Sequence, residues 1–205
     1  MTLDHLLNNH AVELWGVTPL TDTFQDAGGY KCIAFCLPYD QAAVAALPND
    51  DLISRSKAEL TERARVIYRA IATTLKECSF QSFDEVSEEL RLREKGVSQK
   101  VFAYLAGLGW IGKSSLLITN EYGPRVRLCT IFTQGDLEVT SRSRVGECGE
   151  CLACAKACPA GAINKNGYDV NKCKQVVMDQ KGETKTFCGL CMRACPQGIA
   201  NSPVW

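Results

Sequence analysis

The chain has 205 residues, 46% hydrophobic and 22% charged, enough for one domain or two small ones around an ordinary packed core. This excludes a disordered tail, a collagen-like chain and a coiled coil. Lys+Arg and Asp+Glu balance at 23 each, so no nucleic-acid partner is expected. No apolar run reaches the roughly 18 residues of a membrane span, and Met1 to Gly16 carries Asn8, Asn9 and His10 with no basic start. A cytoplasmic protein without a membrane partner is expected.

In chain order, Leu3 to Trp15 is expected to form a short helix. Lys31 to Leu37 (KCIAFCL) is a compact apolar run stopped by Pro38, the pattern of a buried strand. From Ser54 to Cys78, Leu60, Ala64, Ile67, Ile71, Leu75 and Cys78 recur at steps of three and four, one apolar stripe on a long helix. The acidic pairs Asp84-Glu85 and Glu88-Glu89 suit a solvated helix face. Lys100 to Ala106 reads as a shorter helix ended by Gly107 and Gly109. Two strands follow, Ser115 to Thr119 and Arg125 to Thr133, joined by the turn Asn120-Glu121-Tyr122-Gly123-Pro124. The polar stretch Gly135 to Gly146 reads as a linker. The expected fold class is α+β, with an α/β cofactor-binding-like domain over 1–140 and a ferredoxin-like module with two [4Fe–4S] clusters over 141–205. Charge changes at that boundary: residues 1–140 hold 14 basic and 18 acidic groups, and residues 141–205 hold nine and five.

Twelve cysteines are far too many for an ordinary chain of this length, and eight lie between residues 148 and 195. With no export signal, reduced cysteines concentrated in one third of a chain point to metal. Cys148-x2-Cys151-x2-Cys154-x3-Cys158-Pro159 matches the bacterial ferredoxin run, in which the fourth cysteine serves the other cluster. Cys173 followed by Cys188-x2-Cys191-x3-Cys195-Pro196 repeats its end. Exchange between the halves assigns Cys148, Cys151, Cys154 and Cys195 to one cluster and Cys158, Cys173, Cys188 and Cys191 to the other. A pair of zinc sites would explain four cysteines and leave Cys154, Cys158 and both prolines without a role. No His follows either CxxC, which excludes haem attachment. Cys32, Cys36, Cys78 and Cys129 sit in apolar runs as small buried side chains.

Gly107-Leu-Gly-Trp-Ile-Gly112-Lys113-Ser114 fits the letters of a phosphate loop. Such a loop needs a strand before it and a helix after it. Here a helical segment precedes and a strand follows, so nucleotide hydrolysis is not expected. His5 and His10 are surface residues of the first helix and supply no axial ligand. Tyr39, Asp40, Tyr104 and Tyr122 stand near turns, and Asp40 reads as a turn residue.

Phe102-Ala-Tyr-Leu-Ala-Gly-Leu-Gly-Trp-Ile-Gly-Lys113, then Leu116-Leu-Ile, Tyr122-Gly123 and the strand up to Thr133, leads into the paired cysteine motif. This order resembles the epoxyqueuosine reductase family and, more distantly, the reductive dehalogenases, over roughly residues 30–40 and 97–196. The resemblance implies two [4Fe–4S] clusters with a cobalamin (corrinoid), set in an α/β cofactor-binding domain with a ferredoxin-like module. Gly107, Gly109 and Gly112 would admit the corrinoid ring beside Trp110, and Lys113, Ser114 and Ser115 would bond its polar groups; as ordinary structure, Trp110 is core and Lys113 a solvated turn. Three departures stand out. The family's C-terminal helical-repeat domain, which helps hold tRNA, has no counterpart before Trp205. Arg91 to Val97 lacks the family's proton-donating aspartate, with Arg93 near its position. The amino-terminal region is also short.

The implied function is a redox protein whose clusters pass electrons to a second cofactor, a corrinoid, in an epoxyqueuosine reductase-like reductive reaction or the reactivation of a partner. Its partners would be an electron donor, ferredoxin or flavodoxin, and a corrinoid or corrinoid protein. The alternative is a ferredoxin-type electron carrier with a partner-recognition domain, although 140 added residues exceed what a carrier needs. A redox-sensing regulator is a third reading, without a basic-faced DNA-reading helix to support it.

Overall fold

A computed structural model describes residues 2–20, 30–48, 50–74, 80–82, 98–133, 136–140, 146–165, 167–177 and 188–198. The chain divides into two compact units that alternate along the sequence. The first comprises Met1–Leu37, Thr61–Leu108 and Arg127–Arg144, and the second Pro38–Leu60, Gly109–Val126 and Val145–Trp205.

The first unit opens with α1 (Leu3–Asn9), capped by the Thr2 hydroxyl, which accepts from the His5 amide at 3.3 Å. Leu3, Leu6 and Leu7 form its buried face. The helix stops well short of Trp15: Ala11 takes a left-handed φ of 51°, and Leu14 and Trp15 already belong to β1 (Leu14–Pro19). Pairing overrides the local helical pattern here, because β1 runs antiparallel to β2 (Lys31–Pro38) with Leu14 opposite Cys36 and Pro19 opposite Lys31.

β2 is buried from Cys32 to Leu37, as its apolar run requires. The sheet order is β1-β2-β6-β3, where β3 is Phe80–Ser82 and β6 is Val126–Thr133, and β3 pairs antiparallel with β6. The long helix α3 (Asp50–Thr74) buries Leu60, Ala64, Ile67 and Ile71, the expected stripe; Leu75, Cys78 and the acidic pairs lie outside the described residues. Tyr68 on α3 meets Phe35 edge-on at 5.7 Å between ring centres, and Phe102 meets Phe132 at 5.0 Å. Phe102 belongs to α4 (Gln99–Leu105), which ends at Ala106 before Gly107 takes φ 77°.

Part of the expected linker is pinned rather than free. The Thr140 hydroxyl accepts from the Val17 amide at 2.8 Å, and the Lys31 ammonium reaches Asp136 at 2.8 Å and the Leu137 carbonyl at 2.7 Å. No described helix is long and apolar enough to cross a membrane.

The second unit contains α2 (Gln41–Ala45), capped by Asp40, which accepts from the Ala43 amide at 2.8 Å. Ala43, Val44, Leu47, Ile53 and Met192 form its apolar centre, with Tyr39 and Leu116 against them. The two strands expected around the turn 120–124 do not pair with one another. β5 (Leu117–Ile118) pairs antiparallel with β4 (Trp110–Ile111), while β6 enters the main sheet. A bridge between Thr119 and Gly123 closes the intervening turn.

Cys32 and Cys129 are buried, and burial pushes both thiols up, Cys129 to about 11 from an ordinary 9.0 despite the opposing pull of Arg127, Tyr68 and Arg63. The folded chain therefore prefers the protonated thiol, whereas the unfolded chain releases its proton near pH 9.0. The stability contributed is complete below that pH and is lost as pH rises toward 11. Urea unfolding between pH 8 and 11 will show this decline, and Cys129→Ala will flatten its part of the slope.

Candidate metal centre

The first cysteine run wraps by alternating turns. Cys148 to Cys151 form a turn in which the Cys151 amide donates to the Cys148 carbonyl at 3.0 Å and Gly149 takes φ 47°. A single helical stretch, α5 (Ala153–Ala157), then carries Cys154 and stops at Cys158, whose extended backbone leads into Pro159. A short hairpin follows, β7 (Ile163–Asn164) against β8 (Gly167–Tyr168). Asp169 caps α6 (Val170–Val177), accepting from the Asn171 and Lys172 amides at 2.9 and 3.1 Å, and so places Cys173 one turn along. Cys191 lies on α7 (Leu190–Arg193), entered through Gly189 at φ 62°, and Cys195 follows it.

The thiols influence one another. Burial raises Cys154, and so do Cys148 and Cys151; burial raises Cys195, and so do Cys148 and Cys154. Burial also lifts Cys191 to about 11, helped by Cys188, Cys173 and, last, Cys154. Tyr168 is raised by burial, by a hydrogen bond with Cys173 and by the nearness of Cys173, Cys191 and Cys158. Neighbouring thiols oppose each other's ionisation, and a cationic centre reverses that opposition. An all-sulfur donor set of this kind fits iron–sulfur clusters. Among the described residues, no group of three or more His, Cys, Asp or Glu is set to hold a single metal ion.

Two cations border the first group. The Lys113 ammonium donates to the Gly149 carbonyl at 2.5 Å and the Cys151 carbonyl at 3.2 Å, while its backbone amide points at Cys148 Sγ, 3.5 Å away. Arg125 is buried; its guanidinium donates to the carbonyls of Cys195, Gln197 and Tyr122, the last two at 2.6 and 3.4 Å. Sequence reasoning passed over Arg125, because an arginine that opens a strand carries no local mark of burial.

The glycine-rich loop is a β4–turn–β5 ribbon, with the Gly112 amide donating to the Leu116 carbonyl and the Ser115 amide to the Gly112 carbonyl, both at 2.9 Å. No helix follows it. A Cβ at Gly109 would fall on the Ile118 carbonyl, and one at Gly112 would lie 2.8 Å from Ile118 Cγ1 and 3.3 Å from Cys148 Sγ. Trp110 is buried beneath Gly146, and its Nε1 has no hydrogen-bond partner among the described residues. Ser114 is buried, and Ser115 takes a left-handed φ of 59°. Gly107 falls in the first unit and Gly109 to Ser115 in the second. Tyr122 is buried; the Tyr39 amide donates to the Arg125 carbonyl at 2.9 Å; and Arg91 to Val97, with Arg93, lies outside the described residues.

No family model matches the chain. The epoxyqueuosine reductase of Gloeobacter violaceus is 30% identical over 186 residues, covering 82% of this chain and 56% of that protein. The chain resembles the epoxyqueuosine reductases. More distantly, a tetrachloroethene reductive dehalogenase of Desulfitobacterium hafniense is 29% identical over 168 residues, covering 79% of this chain and 29% of that protein. The chain thus spans about half the length of the curated relatives it matches, or less. Among solved structures, a catabolic reductive dehalogenase superposes with a TM-score of 0.73 at 19% identity, covering 96% of this chain and 31% of that one. An epoxyqueuosine reductase, solved with an epoxyqueuosine-modified tRNA-Tyr stem loop, gives 0.67 at 16%, covering 98% and 66%. The fold is theirs. Balanced charge argues only against a general polyanion surface, and that relative does engage a nucleic acid.

Gly109 lets β4 approach β5 more closely than any side chain would allow. Gly109→Ala will therefore cost about 1–3 kcal/mol, the usual penalty for overpacking, read as a lowered urea midpoint. An unchanged midpoint would show that the close approach is not required.

Proposed function

We propose that this chain is an iron–sulfur redox protein that serves a corrinoid-dependent reduction like that of the epoxyqueuosine reductases. One [4Fe–4S] cluster would be held by Cys148, Cys151, Cys154 and Cys195, and the other by Cys158, Cys173, Cys188 and Cys191. What supports this reading is the spacing of the eight cysteines, with Cys195 near Cys148 and Cys154, and Cys191 near Cys188 and Cys173 as well as Cys154. When bound, the clusters supply one-electron transfer and the corrinoid supplies the centre at which the substrate is reduced.

The chain's own residues have separable tasks. The turn at Gly149 and the extended Cys158 before Pro159 bound α5 on both sides of Cys154. Of the residues proposed for the corrinoid, the Trp110 indole N–H has a donor to spare, which suits an amide side group of such a ring. Lys113 is committed to the cysteine loop through two carbonyls, so its task is to hold that loop. Exposed Tyr168, Val170 and Val176 surround Cys173 and form the face proposed for a ferredoxin or flavodoxin donor.

Anaerobic reconstitution of the full chain, followed by iron, sulfide, zinc and cobalt analysis, tests this. Two clusters correspond to about eight irons per chain, and Cys154→Ser or Cys188→Ser will reduce that to about four. Zinc with little iron would overturn the reading. A spectral shift on titration with hydroxocobalamin supports the corrinoid, and clusters without such a shift would leave an electron carrier.

A further inference from the structure

We propose that Arg125 and Lys113 are fixed countercharges for one cluster alone, so that the cluster on Cys148, Cys151, Cys154 and Cys195 is reduced at a higher potential than its twin. The inference rests on the two-cluster reading above and adds an inequality to it.

Arg125 is a buried guanidinium that meets no carboxylate among the described residues. Its donors go to three backbone carbonyls, which satisfy its hydrogen bonds and leave its charge uncompensated. Cys195 lies beside it, its carbonyl held by the guanidinium. Lys113 repeats the arrangement at the other end of the same set: its ammonium grips the Gly149 and Cys151 carbonyls, and its amide faces Cys148 Sγ. Among the described residues neither cation meets a carboxylate; Lys113 lies beside Cys148 and Cys151, and Arg125 beside Cys195.

The second set is furnished differently. Cys191 lies near Cys188 and Cys173, and the Tyr168 side chain is hydrogen-bonded with Cys173. Among the described residues, the cations near it in sequence are Lys156, Lys172 and Lys174, all exposed, and Arg193, exposed and donating to the Leu47 carbonyl. Charges on solvated side chains are screened within about 8–10 Å at ordinary ionic strength, whereas a buried guanidinium is screened far less.

Reduction adds one electron, drawn from ferredoxin, flavodoxin or dithionite, and makes a cluster with its four thiolates more negative by one charge. A fixed positive charge nearby stabilises that added charge, and net charge and hydrogen bonds at the sulfurs are established determinants of cluster potential.

The test is an EPR-monitored potentiometric titration of the reconstituted full chain with dithionite. Two resolved steps are expected, with Cys154→Ser abolishing the upper and Cys188→Ser the lower. Lys113→Gln and Arg125→Gln will each move the upper step down and leave the lower in place, while Arg125→Lys retains most of the upper value. Added salt will diminish the contribution of Lys113 more than that of Arg125, which a purely structural role would not produce. Coincident steps, or variants that move both steps equally or neither, overturn the inference. Should Arg125→Gln fail to retain iron, Lys113→Gln decides. A wild-type chain that binds no iron overturns the two-cluster reading itself, and iron content separates that outcome from the others.

Discussion

Sulfurs repel one another once ionised, and the segment from 148 to 195 brings several of them near one another. The thiols are pushed toward their neutral forms by burial and by each other. Only a centre of opposite charge relieves that opposition. The chain responds with short, sharply ended segments: α5 and α7 are brief helices, stopped before Pro159 and Pro196, with left-handed glycines at 149, 161 and 189.

The surrounding scaffold is built to hold that arrangement. Gly109 permits a ribbon tight enough to present Gly112 and Lys113 to the cysteine loop. Arg125, at the foot of β6, collects the carbonyls that follow the last cysteine. A phosphate-loop spelling is thereby put to another use. Its lysine meets backbone oxygens of the cysteine loop, and its glycines serve close packing.

The clearest sequence signals were those with a physical period or a fixed spacing. The apolar run of β2 and the stripe from Leu60 to Ile71 are burial written directly into residue order. The cysteine spacing matches a paired ferredoxin pattern in residue order alone. Trp15 was misplaced on a helix because strand pairing with Phe35, twenty residues on, cannot be seen locally. β5 was expected to lead into β6, yet it turns back to β4, a choice governed by packing at Gly109 rather than by propensity. Arg125 was illegible because burial of a charge depends on carbonyls seventy residues away.

The alternation of the two units along the chain bears on how this protein can be made and cut. The polypeptide enters the second unit three separate times. During synthesis, neither unit can close until the ribosome has passed residue 126, and the second must wait for its final segment. A fragment beginning near residue 141 would carry all eight clustered cysteines yet lose Lys113, Arg125 and the Leu47 carbonyl that receives Arg193. Gene fusion or excision at that point would separate the ligands from the groups that hold them, so the cysteine segment is not a portable cassette.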